Sequence, residues 1–563
     1  MNETIVEATG PPHARAETSD PRFERLAGWL ALVVCLAPAI AAVAWFPGFT
    51  TQDGPSHLYN AQIVLDALRG GGVFGSVYEV RWQPLPNWLG HLGLAGLLAI
   101  FRPDVADRLM TVLTLVAPSA SLLWLRDRVA GPRGLAMAAP LIVLLNLNLC
   151  WLFGFSSFLL GTSLLAATLA VWCRAIGSPS PRGTILVAVL LILGYFAHLI
   201  SLGLTLIGIV VVAAATPGLG RGRLVRTVAA IAPVLPLLVI YRRIMRAGGG
   251  IEPIWNHFRS PWELASWKDQ LAWVDPLSIA PRLVPPWSDE AWRGFTVIAP
   301  PTLLGLGLIA LAAGAIGSGQ DLARRRGWAV LAGLLLAGGV LAPDTLGPQH
   351  GNYLPQRIVL IGLMVGVTVL PIEPSRLASR IGVIAITGAL AVQSAYVFDH
   401  AARSQRLTAP MREAARLVRP GERAAGLQLE LRQKFRANPL LHADCLLGVG
   451  NGAIVWSNYE TAQYYFPVRV RDGVPHPPPL AFELVAVRDD PADSAERADD
   501  WRQLLERHAN EVDVLMIGGE GPPNLRAITG RFYREEQRLG PLRLLRRRDD
   551  VAGSRPSAPS GVP

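Results

Sequence analysis

The chain has 563 residues, of which 51% are hydrophobic and only 17% charged, and its mean hydropathy is +0.34. That is too apolar and too poor in charge for a soluble protein of this size, which leaves a membrane protein. The formal charge of +10 is carried almost wholly by arginine, since Lys268 and Lys434 are the only lysines; with no nucleic-acid motif to use it, it is read as serving orientation and phospholipid contact.

Residues 1–25 are polar and are expected to form a cytoplasmic tail. The apolar run Leu26 to Gln52 that follows exceeds a signal-peptide core, so it is read as an uncleaved first span. Arginine clusters should mark the cytoplasmic face, and they fall at Arg22/Arg25, Arg126/Arg128/Arg133, Arg174/Arg182, Arg221/Arg223/Arg226, Arg324 to Arg326 and Arg376/Arg380. From Arg126 onward the apolar runs between clusters pair as out-and-back excursions. They are Leu135–Cys150 with Phe155–Cys173, Thr184–Ala197 with Leu199–Ala215, Thr227–Tyr241 with Gly294–Ile316, and Trp328–Ala342 with Ile358–Ile372. A last span near Ile381–Phe398 leaves the C-terminus outside, and Leu109–Leu125 crosses inward. Asn87–Phe101 is too short to cross and is expected to re-enter or to lie at the interface. The fold class predicted is an α-helical polytopic membrane protein of about eleven spans over residues 26–400, with a C-terminal extracytoplasmic α/β domain.

Two outer loops, 47–105 and 242–293, are longer than connectors. In the first, Leu58, Ala61, Leu65 and Leu68 share one helical face, so DGPSHLYNAQIVLDALR predicts an amphipathic helix on the membrane surface, stopped by Gly70 to Gly72. In the second, Trp255, Trp262, Trp267, Trp273, Trp287 and Trp292 form an aromatic belt, and Leu264, Trp267, Leu271 and Val274 share a face. Residues 401–550 predict a small α/β domain. MREAARLVRP and SAERADDWRQLLERHAN read as helices; AAGLQLEL, GAIVWSN, FELVAV and VDVLMIGG read as strands. Residues 551–563 are expected to be disordered. Cys35, Cys150 and Cys173 lie in or beside apolar runs and Cys445 in the polar tail, giving neither a disulfide framework nor a Cys-x-x-Cys metal site.

Ionisable groups kept at membrane depth are functional candidates, because holding them there costs roughly 2.5–3.5 kcal/mol or more. Asp53, in TTQDGPSH, has two readings: a cap for the helix that Pro55 starts, or a general base. His57, one turn on, either orients that carboxylate or is an interfacial side chain. His198 interrupts Gly183–Thr216 at its midpoint; a hairpin residue facing water is the favoured reading. Asn146 and Asn148 are either helix-to-helix hydrogen bonders or substrate groups. Arg357 begins a span from its outer end, which suits either an anion such as a phosphate or snorkelling to headgroups. The topology puts Glu252, Asp275, Gln349 and His350 on the same outer side as these.

The plan resembles the C-type membrane glycosyltransferases, the superfamily that includes protein O-mannosyltransferases and bacterial aminoarabinose and arabinose transferases. What matches is a first span, an acid just past it (Asp53), a surface helix, the stretch WQPLPNWLGH (Trp82 to His91), many spans and an outer C-terminal domain. Many members carry a second acid in that loop, where this chain has Pro55. The resemblance implies a multi-pass protein of the inner (plasma) membrane whose donor is a sugar on polyprenyl phosphate, transferred with inversion to an extracytoplasmic acceptor. It makes Asp53 the base with His57 beside it, and sets Arg357, backed by Arg282 or Lys268, at the phosphate. Trp82, Gln83, Asn146, Asn148, His198, Glu252, Gln349 and His350 are the other substrate-binding candidates. No cofactor is required by the motifs; a divalent cation is left open. Two other classes remain: a transporter or flippase of an envelope precursor, and a non-catalytic envelope assembly protein.

Overall fold

The computed structural model describes residues 20–177, 180–216, 220–247, 267–279, 291–315, 322–345, 351–429, 435–482, 494–520 and 523–549. The N-terminal part is a helical bundle: α1 (Pro21–Trp45), α2 (Gly54–Leu68), α3 (Trp88–Leu98), α4 (Pro103–Ala130), α5 (Leu135–Asn146), α6 (Leu149–Phe153), α7 (Ser156–Gly177), α8 (Pro181–Ala197) and α9 (Leu199–Ala214). It continues through α10 (Arg221–Ile231), α11 (Leu235–Ala247), α12 (Trp267–Val274), α13 (Ala291–Ala315), α14 (Leu322–Leu341), α15 (Leu354–Val367) and α16 (Leu377–Ala414). Among the described residues five helices are long and apolar enough to cross a bilayer: α1, α4, α7, the continuous stretch Arg221–Arg246, and α16. Each coincides with an expected span. The other apolar helices are shorter, so length alone supports five of the roughly eleven crossings expected.

Local chemistry sets the helix ends. Asp20 caps α1 by accepting from the Arg22 amide at 2.9 Å, and Arg25 then pairs with Asp127 to tie α1 to α4. The break between α8 and α9 falls at one residue, His198, whose backbone is extended (φ −166°, ψ 127°). At the end of α15, buried Arg126 donates to the carbonyls of Val367 (2.6 Å) and Leu370 (3.1 Å), placing a cation where the helix dipole is negative. An arginine read as a cytoplasmic marker is thus also a structural cap.

The C-terminal part adds α17 (Ser494–His508) and α18 (Pro523–Phe532) to a five-stranded sheet of order β3-β2-β5-β7-β6: β2 (Arg423–Gln428), β3 (Ile454–Val455), β5 (Val514–Gly518), β6 (Tyr533–Leu539) and β7 (Leu542–Arg547). Strands β3, β2 and β5 run parallel, and β7 and β6 close the sheet antiparallel. The strands expected in AAGLQLEL, GAIVWSN and VDVLMIGG are present; FELVAV lies mostly outside the described residues. MREAARLVRP is not a separate helix. Its first four residues end α16, which runs unbroken from the last apolar span to Ala414, and the rest form turns, so residue 401 falls inside a helix.

The first loop is built into this unit rather than laid on a membrane surface. Its strand β1 (Tyr78–Val80) pairs antiparallel with β4 (Val468–Val470), Tyr78 opposite Val470. Strand β3 is the sheet edge, and two tyrosines satisfy its outward backbone. Tyr59 donates to the Ala453 carbonyl and accepts from the Val455 amide, both at 2.9 Å, while Tyr78 donates to the Val455 carbonyl at 2.8 Å. Leu58, Tyr59, Ile63 and Val64 of α2 consequently share one hydrophobic cluster with Val455, Trp456, Leu515 and Met516. The surface-helix expectation is corrected: α2 has its predicted extent and ends in left-handed Gly70 and Gly71, but the cover it finds is protein. Of the predicted apolar face of α12, Val274 is buried and Leu271 exposed, Gln270 taking an inward position, while Leu264 and the Trp267 side chain lie outside the described residues.

Candidate functional site

After α1 ends, residues 49–53 run across the mouth of the bundle. Phe49 packs against Trp151 with ring centroids 6.0 Å apart, the Thr50 amide donates to Ser404 Oγ, and the Gln52 and Asp53 amides donate to the carbonyls of Leu152 (3.1 Å) and Phe153 (2.9 Å). Gly154 makes this possible. Its φ is +82°, and a Cβ there would run into Thr51 Oγ1. Gly154→Ala is therefore expected to destabilise the protein by about 1–3 kcal/mol and to displace Asp53, cutting turnover more than binding; equal kcat and Tm in the two proteins would show that the segment is not held by this glycine.

Asp53 immediately precedes α2, yet its side chain makes no capping hydrogen bond. The carboxylate faces the C-terminal unit instead: Tyr459 donates its hydroxyl to Oδ2 at 3.4 Å, and His442 Nε2 lies 3.6 Å from Oδ1. The His442 and Tyr459 rings stack at 4.3 Å, which fixes both. Burial raises the Asp53 carboxyl to about 6, assisted by Glu460 and opposed by His57. Burial drives His442 down to about 3, so at neutral pH it is an uncharged neighbour.

One turn into α2, His57 Nδ1 meets Glu460 Oε1 at 2.7 Å, and His91 Nε2 of α3 meets Oε2 of the same carboxylate at 2.7 Å. Ser56 Oγ adds a third bond, at 3.0 Å to Oε1. Burial works against charge on Glu460, but the two imidazoles overcome it and hold the acid well below the usual carboxylate range. Burial likewise opposes a charged His57, yet Glu460 outweighs it and His57 is raised. The three ligating atoms lie within 4.8 Å of one another, which makes them the metal-ligand candidate among the described residues. Donors around a zinc with bonds of about 2.1 Å must converge on one point. Here each ring instead reaches a different oxygen at hydrogen-bond distance. The cluster fits a carboxylate bridging two imidazoles.

Arg357, at the start of α15, is 8% exposed. Its Nη1 lies 3.3 Å from His198 Nε2, its guanidinium carbon sits 4.3 Å from the Phe155 ring centroid, and its Nε has no partner. Among the described residues no carboxylate pairs with it, although its charge acts on Asp53, Tyr459 and Tyr465. His198 is thus half-buried, its Nε2 beside an arginine and its Nδ1 shielded from water.

The remaining candidates divide. Asn148 caps α6, accepting from the Trp151 amide at 3.0 Å, and Asn146 donates to Ile142 within its own helix, so both shape the turn between α5 and α6 instead of joining helices. Trp82 stacks on Trp88 at 5.3 Å and, like Gln83, is exposed at the rim. Glu252, Arg282, Gln349 and His350 lie outside the described residues, and so does the Lys268 side chain. Sequence reasoning missed Glu460, His442 and Tyr459 outright, and quoted His91 without assigning it a role. The available signal was one acid among aromatics in SNYETAQYYF.

Compared with known proteins, the sequence matches no family model and no curated protein. Among solved structures it is similar to ArnT from Cupriavidus metallidurans bound to undecaprenyl phosphate, at 11% identity and a TM-score of 0.48, over 94% of this chain and 99% of that one. It is also similar to ArnT from Cupriavidus metallidurans in the apo state, at 10% identity and a TM-score of 0.42, over 94% and 100% of the two chains. Likeness at this level carries no argument about activity, which rests on the site itself.

Proposed function

We propose that this chain is a membrane glycosyltransferase of the C-type kind, moving a sugar from a polyprenyl-phosphate donor to an extracytoplasmic acceptor with inversion. The observation that carries the reading is a buried, uncapped carboxylate raised to about 6, within electrostatic reach of a buried arginine that has no acid partner among the described residues. A carboxyl with that affinity for protons is matched to general-base work near neutral pH. A buried guanidinium with no acid partner among the described residues is matched to a phosphate it has yet to meet.

In the reaction, the acceptor hydroxyl gives its proton to an Asp53 oxygen as its own oxygen bonds to the anomeric carbon from the face opposite the leaving group. The bond from that carbon to the phosphate oxygen breaks, and its electron pair leaves with polyprenyl phosphate. Arg357 stabilises the charge that collects there. Tyr459 and His442 hold the base; His198 and Phe155 hold the arginine. On this reading the protein sits in the inner membrane with its N-terminus in the cytoplasm and its C-terminal unit outside.

Purified protein in lipid, given polyprenyl-phosphate sugars and an acceptor pool, should release free polyprenyl phosphate. Arg357→Gln should lower that turnover by about 100- to 1,000-fold, the range for losing one oxyanion donor. Solute movement across sealed vesicles with lipid-linked sugar unchanged would replace this reading with transport.

A further inference from the structure

The segment from Tyr459 to Phe466 carries three tyrosines, and two of their hydroxyls are engaged within the protein. Tyr459 donates to Asp53 at 3.4 Å, and Tyr464 shares a hydrogen bond with Tyr241 of α11 at 3.2 Å. The third, Tyr465, is half-buried; its hydroxyl stays accessible and makes no hydrogen bond among the described residues. Its ring is nonetheless fixed. Arg81 of the first loop gathers the turn, its Nη2 donating to the carbonyls of Tyr464 (2.9 Å) and Phe466 (2.6 Å) and its amide to the Pro467 carbonyl (2.8 Å). Phe466 is buried against His91 at 5.5 Å and His57 at 6.1 Å, and the Tyr465 ring rests between Phe466 at 4.9 Å and Tyr464 at 5.4 Å. The charged groups that act on its hydroxyl are Arg357, then Glu460 and Asp53. A tyrosine hydroxyl held in such a place usually has a partner, and here the protein supplies none.

Resting on the glycosyltransferase reading above, we propose that Tyr465 is a specificity residue for the donor sugar, its hydroxyl hydrogen-bonding a hydroxyl of the sugar ring. An inverting displacement sets the base and the leaving phosphate at opposite ends of the reacting line, with the sugar between them. Tyr465 lies within electrostatic reach of both Asp53 and Arg357, which places it beside that middle. The chemistry also selects a sugar over an anion. Two carboxylates that act on the same hydroxyl would repel a phosphate there, whereas a sugar hydroxyl is neutral and, like a phenol, both donates and accepts. The C-terminal unit thereby reads the sugar, while Arg357 of the bundle meets the phosphate.

The test uses the full-length protein in lipid and compares two ligands that differ only in the sugar. One is a donor that the parent turns over, drawn from a panel of polyprenyl-phosphate hexoses and pentoses; the other is bare polyprenyl phosphate, followed as an inhibitor. Tyr465→Phe should lower kcat/KM for the donor about 5- to 10-fold, as expected for one hydrogen bond, and leave both the inhibition constant of bare polyprenyl phosphate and the Tm at parental values. Arg357→Gln should weaken both ligands. Tyr464→Phe, the same deletion one residue earlier, should keep the parental kcat/KM. An unchanged kcat/KM in Tyr465→Phe, a loss accompanied by a fall in Tm, or an equal weakening of bare polyprenyl phosphate would remove Tyr465 from the sugar and leave the glycosyltransferase reading standing. A parent that releases polyprenyl phosphate from no donor in the panel would overturn both.

Discussion

Asp53→Asn protein is expected to insert and fold normally, melt no lower than the parent, and turn over about 100- to 10,000-fold more slowly, the usual loss when general-base assistance is removed. Both halves follow from the same burial. Raising this carboxyl from 3.8 to about 6 means that ionising it in the folded protein costs about 3 kcal/mol at neutral pH, a cost the amide does not carry. No capping bond is lost either, because the side chain makes none. The base is active when deprotonated, so kcat/KM in the parent should rise with pH through about 6 and level off above it. Near-parental turnover in the variant, or a rate flat between pH 5 and about 7, would remove Asp53 from the chemistry.

Glu460→Ala should be the most destabilising single change in the site, lowering stability by about 3–5 kcal/mol, because it strands two imidazoles around a buried position that has lost its charge. Glu460→Gln keeps an acceptor and should fall between that variant and the parent. The pH dependence separates the partners. Glu460 is held below its unfolded value near 4.3, so its contribution is complete above that pH and is lost as pH falls through the lower folded value. His57 is raised, so its contribution is complete below its unfolded value near 6.5 and is lost as pH rises through the higher folded value. Both are complete between about pH 4.3 and 6.5, and the Tm difference between parent and alanine variant should be widest there. A difference that does not vary with pH would mean that the bridge carries no charge.

What could be read from the sequence depended on the range of the interaction. His198 and Arg357 could each be singled out, one as a break in an apolar run and the other as a cation at the wrong end of a helix, and the structure brings them within 3.3 Å. Asp53 could be found because it ends a span, and the α8–α9 hinge because one residue interrupts the pattern. Glu460 could not be found. Its partners His57 and His91 lie 403 and 369 residues away, and no periodicity links a 3-10 turn to two separate helices. Strand β6 escaped for a different reason: YREEQRL is dense in charge because it lies at the sheet edge with its middle residues exposed, so it lacks the apolar alternation that announces a strand, and β7, LRLLRR, carries three arginines although it lies inside the sheet. The burial of α2 was hidden because an amphipathic face looks the same whether lipid or protein covers it.

The pairing of Tyr78 with Val470 also imposes a timetable on the protein's birth. Domains are made N-terminus first at about 5–20 residues per second, so residue 470 leaves the ribosome roughly 20–80 s after residue 78. For that interval the first loop has neither its strand partner nor the edge strand that Tyr59 and Tyr78 secure. A nascent chain released between the end of α16 and residue 442 would hold all the bundle helices and an open, sticky loop, with Asp53 facing neither His442 nor Tyr459. Premature termination would therefore leave waste for the cell's proteases rather than a partly active fragment.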